Sequence, residues 1–418
     1  MLKLIKDLWL KRRDIVSDGF DQSLAYISKI IPLKIHKVSS GTECWTWIIP
    51  EKWSVENAYI EDLSGNRLLD LKNHPLHVVS YSLPINKVVT REKLLKHLHS
   101  NPNRPNAIPF EFKYYQRDWG FCIQYNRLKE FTKPHYRVVI NSSFKKGQLK
   151  IGEYVVRGKT DEAIAIVAHL DHPGMVNDDL SGVSVLVELA KALKKRKNYY
   201  TYKFLLLPET IGSIAYLSQN EKEISKIKYS VFLEMLGNHN PLSLQLSRQG
   251  DTEVDRVFRA VLKKKVPNFK EGAFRKIVRN DEMIFNGPGI NIPMVSISRS
   301  AGEPNHYPEY HTSDDNPKII SEKNLKDSVD LILEALSILD QNYKPLRKFK
   351  GPVFLSRYGL WVDWRKNLKL NQAIEQIMLN LEGDKSVLDI AEALGLDFSE
   401  AKSYLDKFAG KKLIEKNR

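Results

Sequence analysis

The sequence predicts an α/β protein: a mixed, largely parallel sheet sandwiched by helices, with an inserted mostly-β domain before its main block and a small helical domain after it. Three observations predict this. The runs "AIAIVAHL", "YKFLLLP", "YSVFLEML" and "IPMVSISR" are apolar without polar alternation, as in strands buried on both faces. They are interleaved with amphipathic helical patterns such as "GVSVLVELAKALKK" and "IGSIAYLSQ", the rhythm of a parallel sheet with helical crossovers. The pattern also shifts near 41, near 151 and near 346, so both ends of the block are bounded.

Residues 1–40 read as a helical N-terminal part of the main domain, with Leu24, Ala25, Ile27, Ile30 and Ile31 near 3.6-residue spacing. From 41 to 150 short aromatic and β-branched runs take over, "CWTWIIP", "HVVSYSLP" and "YRVVIN", broken by Asn, Pro, Gly and Asp. Residues 151–345 hold the alternating block, closed by the long helical pattern "SEKNLKDSVDLILEALSILD". From 346 to 418, "NQAIEQIMLNLEG", "SVLDIAEALGL" and "SEAKSYLDKFAGKKLIEK" give three helical stretches whose spacing resembles a winged helix-turn-helix.

The 418 residues are 42% hydrophobic and 28% charged, ordinary for a globular protein with buried cores. No run approaches the ~18 apolar residues of a membrane span. The start, "MLKLIKDLWLKRRD", lacks the uninterrupted apolar stretch and small-residue cleavage site of a secretory signal. Cys44 and Cys122 are too few for a disulfide framework. Together these features give the expectation of a cytoplasmic protein with two buried thiols. The net charge of +15 raises nucleic acid as a partner, yet clusters such as "KALKKRK" close amphipathic helices, where lysines serve a solvated face and the helix dipole.

The stretch "HLDHPGMVNDDLSG" gathers two histidines and three aspartates where a predicted strand ends. Ligands of open α/β sheets collect at the carboxyl ends of strands, and His169, Glu209 and Glu234 each fall at such an end. A hydrolytic zinc site needs nitrogen and carboxylate ligands, an open position and a carboxylate base. His169, Asp171, Asp178, Glu209, Glu234 and His311 supply them in order. Taken singly they have plainer readings: Asp178 and Asp179 suit a helix N-terminus, Glu209 could cap its own helix, and "HTSDD" is an acceptable polar turn.

Taken together, "HLD", "NDDLSG", "PETIGS", "FLEMLG", "NDEMIFNGPGINIPMVSISR" and "YHTSDD" resemble the co-catalytic zinc aminopeptidases and glutamate carboxypeptidases of clan MH. The resemblance covers about 151–340 and keeps the family order. It implies His169, Asp178, Glu234 and His311 as metal ligands, Asp171 as the residue orienting the His169 ring, and Glu209 as general base. It also implies a bridging role for Asp178, a cis bond between Asp178 and Asp179, and a cofactor of one or two zinc ions. Glu234 stands where that family has Asp. Thr210 stands where it has a second Glu, a ligand of the second metal, and a hydroxyl is a poor replacement for a carboxylate. Either one zinc rests on His169, Asp178 and Glu234, or Glu209 is itself a ligand and the base is unassigned.

With the β-rich segment in front and the helical tail behind, "YYQRDWGFC" and "YPEYHTSDDN" resemble a bacterial and archaeal group of aminopeptidase-like proteins connected with surface-polysaccharide biosynthesis. Arg299, Tyr307 and Tyr310 are then candidates to hold a substrate carboxylate or an oxyanion, or else packing residues. His172, His306 and Glu303 lie near the site without a role. The expected activity is hydrolysis of an amide bond in a peptide, with an N-acylated amino sugar or nucleotide sugar as the second substrate class and a metal-binding, non-catalytic scaffold as the third reading. The tail could instead make the chain a DNA-binding regulator, but residues 351–418 carry 11 Lys and Arg against 10 Asp and Glu. A DNA reader needs a clear positive excess, so the tail reads as a protein-contact module, and its apolar helices offer a surface for self-association.

Overall fold

The structure is a computed structural model describing residues 1–418. Its centre is an eight-stranded sheet in the order Lys34–Ser39, Gln148–Val156, Thr201–Leu207, Ala163–His169, Ile227–Glu234, Met294–Ser298, Ser243–Gln245, Lys270–Gly272. The four strands from Thr201–Leu207 to Met294–Ser298 run parallel. Antiparallel pairs join the flanking strands to this parallel core. All seven residues of Ala163–His169 are buried, as the unbroken apolar run predicts. Each fully buried aliphatic side chain contributes about 1.5–3 kcal/mol, so Ile164, Ile166 and Val167 anchor the sheet where the first histidine emerges. The helix Gly182–Lys194 covers this strand and buries Val183, Leu186, Leu189, Ala190 and Leu193.

The expectation of a helical stretch through residue 40 is corrected at its end. Helices span Leu2–Leu8 and Asp18–Ser28, but Lys34–Ser39 is a strand at the edge of the large sheet. Pro32 cannot continue a helix, and the β-branched Ile35 and Val38 suit a pleated, half-buried edge. The Asp18–Ser28 helix begins with Ser17 Oγ accepting the Phe20 N–H at 3.2 Å.

Within 41–150 a second sheet of four antiparallel strands forms, in the order Arg67–Asp70, Lys52–Asp62, His135–Lys145, Ile85–Thr90. Its buried face and the large sheet share one hydrophobic core, Trp53, Ile60 and Val138 lying in the same cluster as Val167, Leu205 and Phe232. A loop from this region reaches the His311 segment: the Phe110 N–H donates to His311 O and the Ser313 N–H to Ile108 O, both at 2.8 Å.

The chain divides into two compact units, 1–333 and 334–418. The second contains helices Leu355–Tyr358, Leu368–Leu379, Val387–Ala393 and Phe398–Gly410, and an antiparallel pair of strands, Lys344–Arg347 with Ile414–Asn417. It has its own core, built on Ile374, Ile377, Leu381, Leu405 and Phe408. Cys44 and Cys122 are free and buried. No helix is long and apolar enough to cross a membrane.

Candidate active site

The parallel strands deliver their side chains to one end of the sheet. His169 ends its strand, Glu209 lies just past Thr201–Leu207, and Glu234 ends Ile227–Glu234. Asp178 arrives on a loop that is fastened on several sides. Asp315 accepts the backbone N–H groups of Val176 (3.3 Å), Asn177 (2.7 Å) and Asp178 (3.1 Å). Asn177 Oδ1 accepts from Gly237 at 2.8 Å and Asn238 at 3.1 Å, and Asp179 Oδ1 accepts from Met235 and Gly182, both at 3.0 Å. These bonds tie the Asp178 loop to the residues following Glu234. Gly182 is required there: a Cβ would lie 2.5 Å from the Asp179 carboxylate oxygens. The Asp178–Asp179 peptide is cis.

The histidine loop is held from beneath by Arg13. Its buried guanidinium donates to the carbonyls of Leu170 (2.9 Å), His172 (2.5 Å) and Met175 (3.0 Å), and to Leu8 (2.6 Å). Burial lowers its pKa to about 10, against the pull of Asp171 and Asp315, so it remains a cation at neutral pH.

Around Asp178 the polar atoms converge. His169 Nε2 lies 3.0 Å from Asp178 Oδ1 and 3.6 Å from Glu234 Oε1. His311 Nε2 lies 3.1 Å from Asp178 Oδ2. Yet His169 Nε2, both Asp178 oxygens, Glu234 Oε2 and His311 Nε2 are buried atoms without a hydrogen bond. The ligand atoms of His169, Asp178 and Glu234 all lie within 4.8 Å of one another. Leaving so many buried polar atoms unpaired would cost about 1–3 kcal/mol each, and a divalent cation removes that cost. The set of one imidazole and two carboxylates formed by His169, Asp178 and Glu234 is one that zinc accepts.

The electrostatics ask for the same positive charge. Burial opposes protonation of His169, but Asp171, Asp178 and Glu234 outweigh it and raise its pKa well above the ordinary histidine range. Burial likewise opposes charge on His172, and Asp178 and Asp171 overcome it to push the pKa up to about 10. Behind the cluster, burial drives Asp281 and Glu282 each up to about 8.

Of the residues the sequence nominated, the structure brings His169, Asp171, Asp178, Glu209, Glu234 and His311 together. Asp171 Oδ1 lies 3.2 Å from His169 Nδ1 and also accepts the Glu209 N–H at 2.9 Å, so one carboxylate orients both. Glu209 Oε2 lies 3.1 Å from His172 Nε2. The Thr210 N–H donates to Asp281 Oδ1 at 3.1 Å.

The three nominated substrate-binding residues fare differently. Tyr310 stacks on His311 with ring centroids 3.9 Å apart; burial, with Asp178, Glu234 and Glu209 nearby, keeps its hydroxyl protonated. Tyr307 instead donates to Asp315 Oδ2 at 2.7 Å and thereby supports the Asp178 loop. Arg299 turns its guanidinium to the carbonyls of Asn240 (2.8 Å) and Asn324 (3.4 Å). His306 pairs with Ser300 Oγ at 2.8 Å and approaches Glu303 at 3.4 Å.

Sequence reasoning missed Arg13, Asn280 and Asp315. Asn280 Nδ2 donates to Glu234 Oε1. Asn280 and Asp315 sit inside "NDEMIF" and "HTSDD", where nearness to a ligand-bearing segment was a usable signal. Arg13 had none, because the histidine loop it holds lies about 160 residues away. Beside Glu209 opens a cavity of about 370 Å³ lined by Ile15, Trp47, Phe112, Tyr114, Tyr115 and Ile211, with Thr210 also on its wall. Lys113, on its rim, is engaged by Asp118 at 2.8 Å.

Comparison with known proteins agrees with this architecture. A Clostridium acetobutylicum protein, named for polysaccharide biosynthesis and an aminopeptidase-like domain, is 35% identical over 408 residues, covering 96% of this chain and 93% of its own length. A crystal structure from the same organism, provisionally named a peptidase, superposes with a TM-score of 0.90 at 34% identity, over 99% of this chain and 95% of that one. A zinc aminopeptidase from Bacillus subtilis shares the fold at a TM-score of 0.59 and 16% identity, over 81% of this chain and 93% of that one. A peptidase M28 precursor from Shewanella amazonensis does so at 0.57 and 15%, over 81% and 92%. Residues 2–342 match the family described as a domain of unknown function, DUF4910. The chain therefore belongs to the DUF4910 family, built on a mixed α/β fold similar to that of the zinc aminopeptidases.

Proposed function

We propose that this protein is a zinc-dependent amide hydrolase of the aminopeptidase type, acting on peptides whose first residue is apolar. The observation that carries the reading is the convergence of unpaired His169, Asp178 and Glu234 atoms at the carboxyl ends of parallel strands, beside Glu209 and an apolar cavity. His169, Asp178 and Glu234 would hold the ion, and His311 Nε2 lies 3.1 Å from the other oxygen of Asp178. A zinc ion there supplies a Lewis acid that polarises the scissile carbonyl and makes water acidic enough to lose a proton near neutral pH.

The chain's own groups do the rest. Asp171 holds the His169 ring and the Glu209 backbone in one frame. Glu209 takes a proton from the attacking water and returns it to the departing nitrogen. The Tyr310 hydroxyl, kept protonated, donates to the oxygen that gains charge in the transition state. The substrate's first side chain enters the cavity of Trp47, Phe112, Tyr114 and Ile211, where the cation on the rim is already neutralised by Asp118.

A second reading, hydrolysis of an N-acylated amino sugar, is supported by the Clostridium relative's name and by aromatic walls on which a sugar ring could stack. Zinc-loaded protein assayed on aminoacyl p-nitroanilides and on N-acetylated amino sugars separates the two. Leucyl or phenylalanyl anilides should turn over fastest, and lysyl or aspartyl ones slowest. Turnover confined to the sugars would replace the peptide reading, and none on either class, with metal bound, would leave a scaffold. In the same reading the protein is cytoplasmic, and 346–418 is a winged-helix domain that contacts protein, not nucleic acid.

A further inference from the structure

The carboxylate of Asp178 faces two groups of donors, not one. Its Oδ1 looks toward His169 and the Glu234 side, while its Oδ2 lies 3.1 Å from His311 Nε2 and 3.6 Å from His172 Nδ1. His172, Asp178 and His311 form a second set of converging ligand atoms. His172 Nδ1, Asp178 Oδ2 and His311 Nε2 are all buried and all without a hydrogen bond.

The other nitrogen of His172 explains which atom is free. His172 Nε2 lies 3.1 Å from Glu209 Oε2, near enough to give that carboxylate its proton. With Nε2 turned to Glu209, Nδ1 is the ring atom left on the Asp178 side, 3.6 Å from Asp178 Oδ2 and without a hydrogen bond. The two imidazoles are also fixed in orientation. Phe110 meets both edge-on, with centroids 5.0 Å from His172 and 5.4 Å from His311. Arg13 holds the His172 carbonyl.

We propose that His172 supplies a ligand at a second divalent-cation position, beside Asp178 Oδ2 and His311. The inference rests on the reading of His169, Asp178 and Glu234 as the first ion's ligands. On this assignment the second position needs nothing from Thr210. Its donors are two imidazoles and one carboxylate oxygen, which favours zinc, cobalt or nickel over magnesium or calcium. The proton of His172 Nε2 then also positions Glu209.

The test is metal stoichiometry after equilibrium dialysis against zinc or cobalt, read by inductively coupled plasma mass spectrometry, with circular dichroism to verify folding. Wild type should bind two ions per chain, His172→Ala one, and Asp178→Ala none. Two ions in His172→Ala would overturn the role of His172 while sparing the first site. One ion in wild type, kept in His172→Ala and lost in His169→Ala, would remove the second ion alone. No ion in wild type would remove both. His172→Cys covers the case in which His172→Ala does not fold: with two cobalt ions bound it should show a thiolate-to-cobalt charge-transfer band. Two bound cobalt ions without that band would also overturn the proposal.

Discussion

Glu209 is the residue on which the proposed chemistry turns. Its backbone is set by Asp171 and its carboxylate by His172, and it borders the cavity that would receive substrate. Replacing it with Gln keeps the shape and the amide's acceptor oxygen but removes the base. Glu209→Gln should therefore retain its metal and lose turnover by about 10²- to 10⁴-fold, the usual contribution of a positioned base. Steady-state rates alongside metal content check this. Unchanged turnover would show that Glu209 is not the base, and lost metal would show that it is a ligand. The contrast between Arg299 and Tyr310 shows what residue type alone leaves open. Both were nominated because they lie near the late ligand in the chain. Only packing decides that Tyr310 stacks on His311 while Arg299 turns to the carbonyls of Asn240 and Asn324.

At the scale of elements, the helix after Glu209 is tied to the sheet through Glu153. Glu153, on Gln148–Val156, accepts from Tyr216 at 2.7 Å, lies 2.8 Å from His36 Nε2, and reaches Lys203 at 3.4 Å. One carboxylate thus links the edge strand, two inner strands and the helix Ile211–Gln219. Burial opposes its charge, but His36, Tyr216 and Lys203 outweigh burial and hold its pKa at about 2 against the ordinary 4.5. A carboxylate whose pKa is lower when folded adds stability above the unfolded value and loses it as pH falls toward the folded one. The melting temperature of wild type should therefore exceed that of Glu153→Gln at pH 6. The gap should narrow below pH 4.5 and close near pH 2. Thermal melts by circular dichroism across that range test it, and a gap that stays constant with pH would deny Glu153 this role. The apolar runs made the parallel strands legible, because burial on both faces leaves no other pattern. The edge strand Lys34–Ser39 was harder to read: only two of its side chains are apolar, and its pairing partner begins more than a hundred residues later. Arg13 was invisible for the same reason, its hold on the histidine loop lying in contacts that sequence neighbours do not signal.

For the whole molecule, the site was legible because His169, Glu209 and Glu234 each fall at or just past the end of a strand, and these strand ends share one edge of a parallel sheet. The joining of the two sheets through one core was not, since composition separates the β-rich stretch from the block it packs against. The chain nevertheless divides into two compact units: 1–333, where one core spans both sheets, and 334–418, which has a core of its own. All the proposed metal ligands belong to the first. A ligand that binds only the folded state stabilises by about 2.7 kcal/mol at a hundredfold excess over its dissociation constant. For a unit of this size that corresponds to about 4 °C in melting temperature. Removing metal with a chelator should therefore lower the calorimetric transition of 1–333 by about 4 °C or more and leave that of 334–418 where it was. Readdition of zinc should restore the lost transition, and Asp178→Ala should begin at the chelated value and ignore both treatments. If both transitions fell together in wild type, the two units would be unfolding as one. If neither moved, the unpaired atoms around Asp178 would be supporting no ion, and the hydrolase reading would fall with them.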